Sequence, residues 1–262
     1  MHFTKMNGTG NDYIFFYLEN IQDNQLFNKN VIKKLCNRHT GIGGDGIVII
    51  NKSTNADARM IIFNADGTRA EMCGNALRCV ATYINKYNLN KNHQNTITII
   101  TDSGVKYAEI NNRDSLVTVN MGKPQIDFNL IHINSEISGY KINMGNPHFV
   151  VVTNDLDNLF VKYAKTISNN IVYFPHKTNV EFAHFLNPTN IKMRVWERGS
   201  EETLACGTGA SAVFALICYL NNVTTNITLH LPGGILNCEY NSCNEILLTG
   251  NTEINFEGNI EI

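Results

Sequence analysis

The stretches that decide the fold are MCGNALRCVATYI at residues 72–84 and ACGTGASAVFALICYL at residues 205–220. In each stretch a cysteine is followed by glycine, then by asparagine or threonine, and then by a largely apolar run. In the first run Leu77, Val80, Ala81 and Ile84 have the i, i+3, i+4, i+7 spacing of a helix. The second run is apolar almost throughout from residue 210 to residue 220. We therefore predict one central helix in each stretch, the second buried on every side.

Both stretches belong to an internal repeat, which is the signature of two similar structural halves. Three pairs of segments match in the same order, at offsets of 135, 134 and 133 residues: 10–12 with 145–147, 45 with 179, and 63–75 with 196–208. We predict a first half at residues 1–115 and a second at residues 116–250. The last strand-like segment, residues 251–262, is expected to return to the first half.

The rest of the chain is rich in short β-branched runs bounded by Gly, Asn, Asp or Ser, which is typical of strands. The predicted strands are residues 13–17, 46–50, 58–63, 96–101, 116–121, 140–144, 148–152, 179–186 and 192–196. Many strands with two central helices indicate an α+β fold rather than regular βαβ alternation. Each half is therefore predicted to be a strand-rich layer wrapped around its own central helix.

Composition narrows the class of partner. The 262 residues carry 21 basic and 23 acidic side chains, so no broad field favours nucleic acid or an anionic membrane. The absence of a secretory start and of an 18-residue apolar run predicts a cytoplasmic protein without a membrane partner. Seven cysteines without CxxC spacing predict reduced thiols, and buried structural thiols are expected at Cys36, Cys79, Cys218, Cys238 and Cys243.

Cys73 and Cys206 are the exceptions, because the repeat places each one at the start of a helix. The first N–H groups of a helix have no acceptor inside it, so they can hold a carboxylate, and the helix dipole is expected to lower the pKa of a nearby thiol. Gly74, Asn75, Gly207 and Thr208 would form these cradles. Inverting a stereocentre requires one group to remove the α-proton and another to protonate the opposite face. We therefore predict that the two cysteines act on opposite faces of one amino-acid carbon.

Several polar residues accompany the cysteines in the repeat-related blocks: Asn64, Asn146, His148, Asn179, Glu197 and Arg198. The asparagines follow or precede predicted strands, where they can read substrate or simply form turns. The adjacent acid and base at 197 and 198 can read an ammonium and a carboxylate, or form a solvated surface pair. His148 is predicted to orient the reactive end, with a structural histidine as the alternative.

Other cofactor chemistry has little support in the sequence. The glycine-rich segment at residues 41–46 lacks the GK[ST] ending of a phosphate loop and precedes a strand rather than a helix. The chain has no HExxH motif, no GxSxG motif and no clustered metal ligands. We expect no metal and no cofactor; a lysine that binds pyridoxal phosphate is the alternative that stays open.

Taken together, the motifs of the chain resemble those of the diaminopimelate epimerase family nearly from end to end. The matching blocks are FTKMNGTGND (3–12), RHTGIG (38–43), FNADG (63–67), MCGN (72–75), MGNPH (144–148), TNV (178–180), WERG (196–199), ACGTG (205–209) and LPGG (231–234). The chain departs from the family's usual residues at Thr9, Ala76, Phe149 and Ser211.

The resemblance implies two pseudo-symmetric domains, a homodimer, and conversion of LL- to meso-2,6-diaminopimelate without pyridoxal phosphate. It makes Cys73 and Cys206 the base and the acid, and makes their helix starts the carboxylate cradles. It assigns the distal end of the substrate to Asn11, Asn64, Asn146, Asn179, Glu197 and Arg198.

Two alternatives stay open. A racemase of the same fold would act on another amino acid; the distal residues speak against histidine but not against lanthionine. A non-catalytic amino-acid binding or redox-sensing protein would use the same cradle and close Cys73 to Cys206 as a disulfide.

Overall fold

The strands of the computed structural model follow the β-branched runs of the sequence, within the residues that it describes: 1–20, 25–90, 95–111, 116–222 and 224–262. The chain divides into two units, one made of Met1–Val119 with Gly250–Ile262 and the other of Asn120–Thr249. The predicted end of the first half, residue 115, lies outside the described residues.

In its described residues, the first unit contains two helices and a mixed sheet. Its elements are β1 His2–Gly8, β2 Asn11–Leu18, α1 Lys29–Cys36, β3 Gly46–Asn51, β4 Ala58–Asn64, β5 Arg69–Ala70, α2 Gly74–Lys86, β6 Thr96–Thr101, β7 Gly104–Asn111, β8 Leu116–Gly122, which runs on into the second unit, and the last strand of the chain, Glu253–Asn259. The strand order is last strand, β1, β2, β3, β4, β6, β7, β8, with β5 also on β4.

Two of these neighbouring pairs, β2–β3 and β4–β6, are parallel. A parallel pair needs a crossover connection, which is usually a helix. Helix α1 lies in the first crossover and α2 in the second.

The second unit repeats this order of elements. They are β9 Gln125–Ile126, β10 Ile131–His132, β11 Ser138–Asn143, β12 Pro147–Val152, α3 Leu156–Ser168, β13 Asn179–Asn187, β14 Asn190–Glu197, β15 Glu201–Thr203, α4 Gly207–Asn221, β16 Ile227–Leu231, β17 Gly234–Tyr240 and β18 Ile246–Asn251, whose last two residues belong to the first unit; the last strand of the chain is β19. Its parallel pairs are β12–β13, with α3 in the crossover, and β14–β16, with α4 in the crossover. The same connectivity in both units is the structural form of the sequence repeat.

The predicted α+β class is confirmed, and so are the two central helices. Helix α2 buries ten of its thirteen residues, and α4 is buried continuously from Gly209 to Cys218. The prediction that the second helix is buried on every side is wrong at its end, where Tyr219 and Leu220 are 45% and 43% exposed.

Helices α1 and α3 are absent from the sequence prediction. Each is amphipathic and packs one face on its own unit's sheet: α1 through Ile32 and Leu35, and α3 through Phe160 and Ala164. The apolar residues of α3, among them Leu156, Phe160 and Ile167, follow helical spacing, so this signal was available in the sequence; α1 is only eight residues long, which makes its pattern short.

The cysteine predictions are largely confirmed. All seven thiols are free, and Cys36, Cys79, Cys218 and Cys238 are buried. The prediction for Cys243 is wrong, because it is exposed in the turn before β18, where its backbone N–H donates to the side chain of Asn241. Within the described ranges, no helix has the length and apolarity needed to cross a membrane.

Candidate active site

Cys73 stands at the N-cap of α2, in extended backbone conformation, and its carbonyl accepts the first helical hydrogen bond from Leu77 at 2.9 Å. Its side chain is half-buried, whereas Gly74 and Asn75 in the first turn are buried. The strand β4 and the short β5 lead the chain to this point. The cysteine therefore begins a buried helix, as predicted.

The β1–β2 hairpin supplies the groups beside Cys73. The Tyr13 hydroxyl donates to the sulfur at 3.6 Å, and the thiol donates to Asn11 Oδ1, also at 3.6 Å. The hairpin passes so close to α2 that a Cβ on Gly8 would lie 2.8 Å from the carbonyl oxygen of Asn75. Glycine at position 8 therefore allows Asn11 to reach the first turn of α2, where Asn75 Nδ2 donates to its Oδ1 at 3.4 Å.

A fully buried guanidinium lies behind this first turn. Arg78 is 0% exposed and donates to Asn75 Oδ1 at 2.9 Å and to Thr9 Oγ1 at 2.8 Å. Thr9 has φ +55°, an unusual conformation for a β-branched residue, in the two-residue turn of the hairpin. The departure from the family at Thr9 thus supplies an acceptor for Arg78.

Asn11 is anchored on its other side by a charged cluster. Its Nδ2 donates to Asp45 Oδ2 at 2.7 Å, and Arg38 bridges Asp45 and Asp12 at 2.8 and 2.6 Å. Lys5, with a side chain only 7% exposed, pairs with Asp12 and also donates to the Gly43 carbonyl. Asp45 was part of the sequence repeat but was not predicted as a site residue.

Cys206 stands at the equivalent N-cap of α4. Its sulfur accepts the backbone N–H of Gly209 at 3.4 Å and lies 3.3 Å from the Thr208 hydroxyl. The Asn146 amide donates to that hydroxyl at 3.3 Å, so Asn146 reaches Cys206 through Thr208. Gly207 and Cys206 are both buried, and the Ser211 hydroxyl donates to the Gly207 carbonyl at 2.9 Å.

Burial raises the pKa of the Cys206 thiol well above its usual value, and the charges of Glu197 and Glu181 raise it further. The hydrogen bonds from Thr208 and Gly209 act in the opposite direction but are smaller. The expectation of a lowered thiol pKa is therefore wrong for Cys206, because desolvation outweighs the helix start. The sulfur keeps its proton in this state.

Glu197 is half-buried rather than a solvated surface carboxylate. The Thr203 hydroxyl donates to it across the β14–β15 pair, and Cys206 also hydrogen-bonds to it. Burial raises the pKa of Glu197, with the neighbouring Glu181 charge adding to the increase.

His148 lies between two oxygen atoms in the interior of the second unit. Its Nδ1 is 2.7 Å from Glu181 Oε1, and its Nε2 is 2.9 Å from Asn146 Oδ1. The side chains of His148 and Glu181 are both 0% exposed. Sequence reasoning missed Glu181, although a lone carboxylate inside the apolar run Val180 to Ala183 was an available signal.

The remaining predicted residues hold turns in their own units. Asn64 donates to the Thr68 hydroxyl at 3.0 Å. Asn179 donates to the Pro147 carbonyl at 3.1 Å and accepts the backbone N–H of Arg198 at 2.8 Å. The exposed Arg198 guanidinium donates to the His176 carbonyl at 3.1 Å. The turn-forming alternative thus describes part of what these asparagines do.

The structure therefore groups the predicted residues within each unit. Asn11, Cys73, Gly74 and Asn75 meet in the first unit, and Asn146, His148, Glu197, Cys206, Gly207 and Thr208 meet in the second. Among the residues that the structure describes, no three His, Cys, Asp or Glu side chains are arranged to hold a metal ion.

Comparison with known proteins matches this arrangement to one family. The profile of the family described as diaminopimelate epimerase matches residues 3–126 and 140–254. The diaminopimelate epimerase of Methanococcus maripaludis strain C6 is 40% identical over 100% of both chains. That of Carboxydothermus hydrogenoformans is 39% identical over 98% of both.

A solved structure shares the fold at low identity. The phenazine biosynthesis protein of the PhzF family from Bacillus anthracis matches with a TM-score of 0.79, covering 100% of this chain and 99% of that one. Its sequence is 12% identical, so the likeness concerns the fold alone.

Proposed function

This chain belongs to the diaminopimelate epimerase family, and from that membership we propose that it interconverts LL- and meso-2,6-diaminopimelate without a bound cofactor. The observation that carries the proposal is the same device in both units: a cysteine at the start of a buried helix, with an asparagine from the neighbouring strand pair linked to it. Two acid–base groups in equivalent positions are what a two-base epimerisation requires.

In one direction the Cys73 thiolate takes the substrate α-proton as the C–H bond breaks. The Cys206 thiol then gives its proton to the other face, so that a new C–H bond forms and Cys206 becomes the thiolate. The raised pKa of Cys206 supports its role as the proton donor of this half-reaction. The reverse direction exchanges the two roles.

The negative charge that develops on the substrate carboxylate needs preorganised donors, because the α-proton of an amino acid is very weakly acidic. We assign that task to the N–H groups of the helix starts at Gly74, Asn75, Gly207 and Thr208. Loss of one such donor typically costs about 3 kcal/mol of transition-state stabilisation.

The second amino and carboxylate pair of diaminopimelate distinguishes this substrate from most amino acids. Family resemblance assigns its recognition to six polar residues: Asn11, Asn64, Asn146, Asn179, Glu197 and Arg198. His148 supports Asn146 through the 2.9 Å contact of its Nε2. We also propose a cytoplasmic homodimer, which sedimentation or light scattering of the purified protein will test.

Proton NMR of LL-diaminopimelate with the reduced protein in D2O tests the proposal. Loss of the α-proton signal together with appearance of the meso isomer supports both the mechanism and the substrate. Histidine and lanthionine in parallel tubes test whether the chain is a racemase of another amino acid. Exchange with one of these but not with diaminopimelate would support the two-base chemistry and show that the proposed substrate is wrong. Absence of exchange with all three overturns the two-base assignment.

Single cysteine variants test the roles of the two sulfurs. Cys73→Ala and Cys206→Ala should each reduce epimerisation by about 10²–10⁴-fold, because one face of the carbon loses its acid–base group. Calorimetric titration should still detect substrate binding, since the helix starts remain. Full epimerase activity in either variant would contradict the two-base assignment.

A further inference from the structure

The hydrogen bonds around Asn11 run in one direction only. Arg78 has donors and no acceptor, so Asn75 must present its carbonyl oxygen to the guanidinium, as observed at 2.9 Å. The other end of that amide, Nδ2, then donates to Asn11 Oδ1 at 3.4 Å. Asn11 Nδ2 in turn donates at 2.7 Å to Asp45 Oδ2. Burial and the neighbouring Asp12 charge raise the pKa of Asp45, but both of its oxygens face N–H donors, from Asn11 and the Asp12 backbone on one side and from Arg38 on the other, so the group accepts.

An obligatory donor at one end and an obligatory acceptor at the other therefore decide how both amides are turned. Reversing the Asn11 amide would place its N–H groups against the N–H groups of Asn75 and its oxygen against the Asp45 carboxylate. Both contacts would be lost together. The orientation of Asn11 is thus set by two charged groups, of which Arg78 is 0% exposed.

This orientation decides which atom of Asn11 lies next to the Cys73 sulfur. The sulfur has the Asn11 carbonyl oxygen at 3.6 Å and the Tyr13 hydroxyl donor at 3.6 Å. A carbonyl oxygen accepts the proton of a thiol, whereas a hydroxyl donates to a thiolate. The pair of contacts therefore accommodates both protonation states of a group that must alternate between them.

We infer that Arg78 and Asp45 are positioning residues that fix the amide orientation of Asn11, so that its carbonyl oxygen faces Cys73 and lets the sulfur hold a proton as well as release one. The inference rests on the proposed function, in which Cys73 both takes and returns the α-proton.

With the amide reversed, the sulfur would face donors from both Tyr13 and Asn11, and the thiolate would be favoured too strongly to be an effective acid.

The experiment uses Asp45→Ala, because Asp45 is on the surface and its loss leaves the core intact. Asp12→Ala is the control matched in charge: it removes the other carboxylate from the same Arg38 cluster, and its side chain makes no contact with Asn11 among the described hydrogen bonds. Because it also leaves Lys5 without its partner, rates for all variants are compared per folded molecule. The conservative variant Asp45→Glu keeps an acceptor and should restore the parent behaviour.

The first readout is the alkylation rate of Cys73 by iodoacetamide as a function of pH, followed on the peptide by mass spectrometry. The titratable groups that interact directly with the sulfur include Tyr13 on β2 and Cys79 on α2. Charged groups reach it through Asn11 and the first turn of α2: Arg78, and the cluster of Asp45, Asp12, Arg38 and Lys5. Removing either carboxylate takes away a negative charge and therefore lowers the pH at which alkylation of Cys73 is half-maximal, the alkylation midpoint. Asp45→Ala should lower it further than Asp12→Ala, because only that variant frees the amide.

The second readout is kcat and KM for epimerisation. Asp45→Ala should lower kcat about tenfold, the typical effect of one charge-assisted hydrogen bond, and leave KM within about twofold. Equal alkylation midpoints in Asp45→Ala and Asp12→Ala, or an unchanged kcat in Asp45→Ala, would overturn the inference.

The opposite end of the chain of hydrogen bonds offers a second pair of variants. Arg78→Lys keeps a group that can only donate, whereas Arg78→Gln can turn an oxygen toward Asn75 and reverse the chain. Among variants that fold, judged by circular dichroism, Arg78→Gln should lower the pH midpoint of Cys73 alkylation, whereas loss of a positive charge alone would raise it, and Arg78→Lys should leave it unchanged. If neither folds, the Asp45 variants decide the matter.

Alkylation needs no substrate, so the two proposals fail separately. A shifted midpoint in a protein that does not turn over diaminopimelate keeps the inference about Cys73 and rejects the proposed function. If the parent protein turns over diaminopimelate but the alkylation midpoint of Asp45→Ala is no lower than that of Asp12→Ala, the proposed function stands and the inference about Asn11 is rejected.

Discussion

Two sulfur atoms carry the proposed chemistry, and each meets different charges in its own unit. Cys73 is half-buried beside the Tyr13 hydroxyl, in a helix whose first turn is held by the Arg78 guanidinium. Cys206 is buried near the carboxyl groups of Glu197 and Glu181. Burial is the largest cause of its raised pKa, and the two carboxyl groups raise the pKa further. The repeat thus places the same residue type in two environments of unlike charge, which suits one base and one acid.

Replacing Glu181 can show whether this carboxylate serves mainly to position His148 or mainly to stabilise the fold. It is fully buried, pairs with His148 through Oε1, and its Oε2 has no hydrogen-bond partner among the described residues. Helix α4 packs directly against it, since a Cβ on Gly209 would lie 2.6 Å from Oε1. The carboxylate therefore costs desolvation energy while holding the histidine in place.

Glu181→Gln should keep the melting temperature within about 4 °C of the parent, because it removes a buried charge at constant shape. The same change should lower kcat about tenfold, since His148 exchanges a charged acceptor for the weaker neutral oxygen of an amide and is held less firmly toward Asn146. Differential scanning calorimetry and steady-state kinetics measure the two effects. A large loss of stability with unchanged kcat per folded molecule would make Glu181 a purely structural residue.

At the scale of elements, a network of ion pairs joins the β1–β2 hairpin to the loop before β3. Lys5 on β1 pairs with Asp12 at the start of β2, and Arg38 reaches Asp12 from the segment after α1. Burial alone would raise the pKa of Asp12, but hydrogen bonds from Arg38 and Lys5 outweigh it and lower the pKa. Folded protein therefore favours the ionised form of Asp12 more than unfolded protein does.

This linkage predicts acid sensitivity. The contribution of Asp12 to stability is present above its unfolded pKa of about 4 and is lost as the pH falls through the lower folded value. Asp12→Asn should cost about 3 kcal/mol at neutral pH, because it leaves Lys5 buried without its carboxylate, and should flatten the decrease in stability in acid. Urea unfolding at several pH values measures both effects; parallel pH curves for variant and parent would refute the assignment.

At the scale of the whole molecule, the first unit is built from two distant parts of the chain. Strand β19 pairs with β1 from Asn259 opposite His2 to Glu253 opposite Asn7. Gly258 passes over the Phe3 ring, where a Cβ would lie 2.9 Å from Cζ. The last strand thus covers the edge of β1, which would otherwise present unpaired backbone groups.

Gly258→Val should therefore destabilise the protein by about 1–3 kcal/mol through overpacking against Phe3. This corresponds to a melting temperature lower by about 2–12 °C for a chain of this size. Asn259→Val, the next residue on the same strand with an exposed side chain, is the matched control and should change the melting temperature little. Equal losses in both variants would show that the strand, rather than the contact with Phe3, is sensitive.

Much of the candidate site was predictable because it depends on residue type and local spacing. The apolar periodicity of Leu77, Val80, Ala81 and Ile84 predicted α2, and the repeat predicted that Cys206 starts an equivalent helix. The crossover helix α3 was missed although its apolar residues follow helical spacing, and α1 was missed because eight residues give only a short pattern. The parallel strand pairs, which require a connection, make both helices evident in the structure.

What the sequence by itself determined was therefore the α+β class, the start of a helix at each of the two cysteines and a list of candidate site residues, since these follow from composition and from order along the chain. Only the tertiary structure decided which way the Asn11 amide is turned, that Arg78 and Glu181 lie buried beside the helix starts, and that the pKa of Cys206 is raised rather than lowered. The physical reason is that hydrogen-bond direction and desolvation depend on which atoms are brought within a few ångströms by strand pairing and helix packing. Residues separated by more than sixty positions, such as Asn11 and Asn75, meet in no other way.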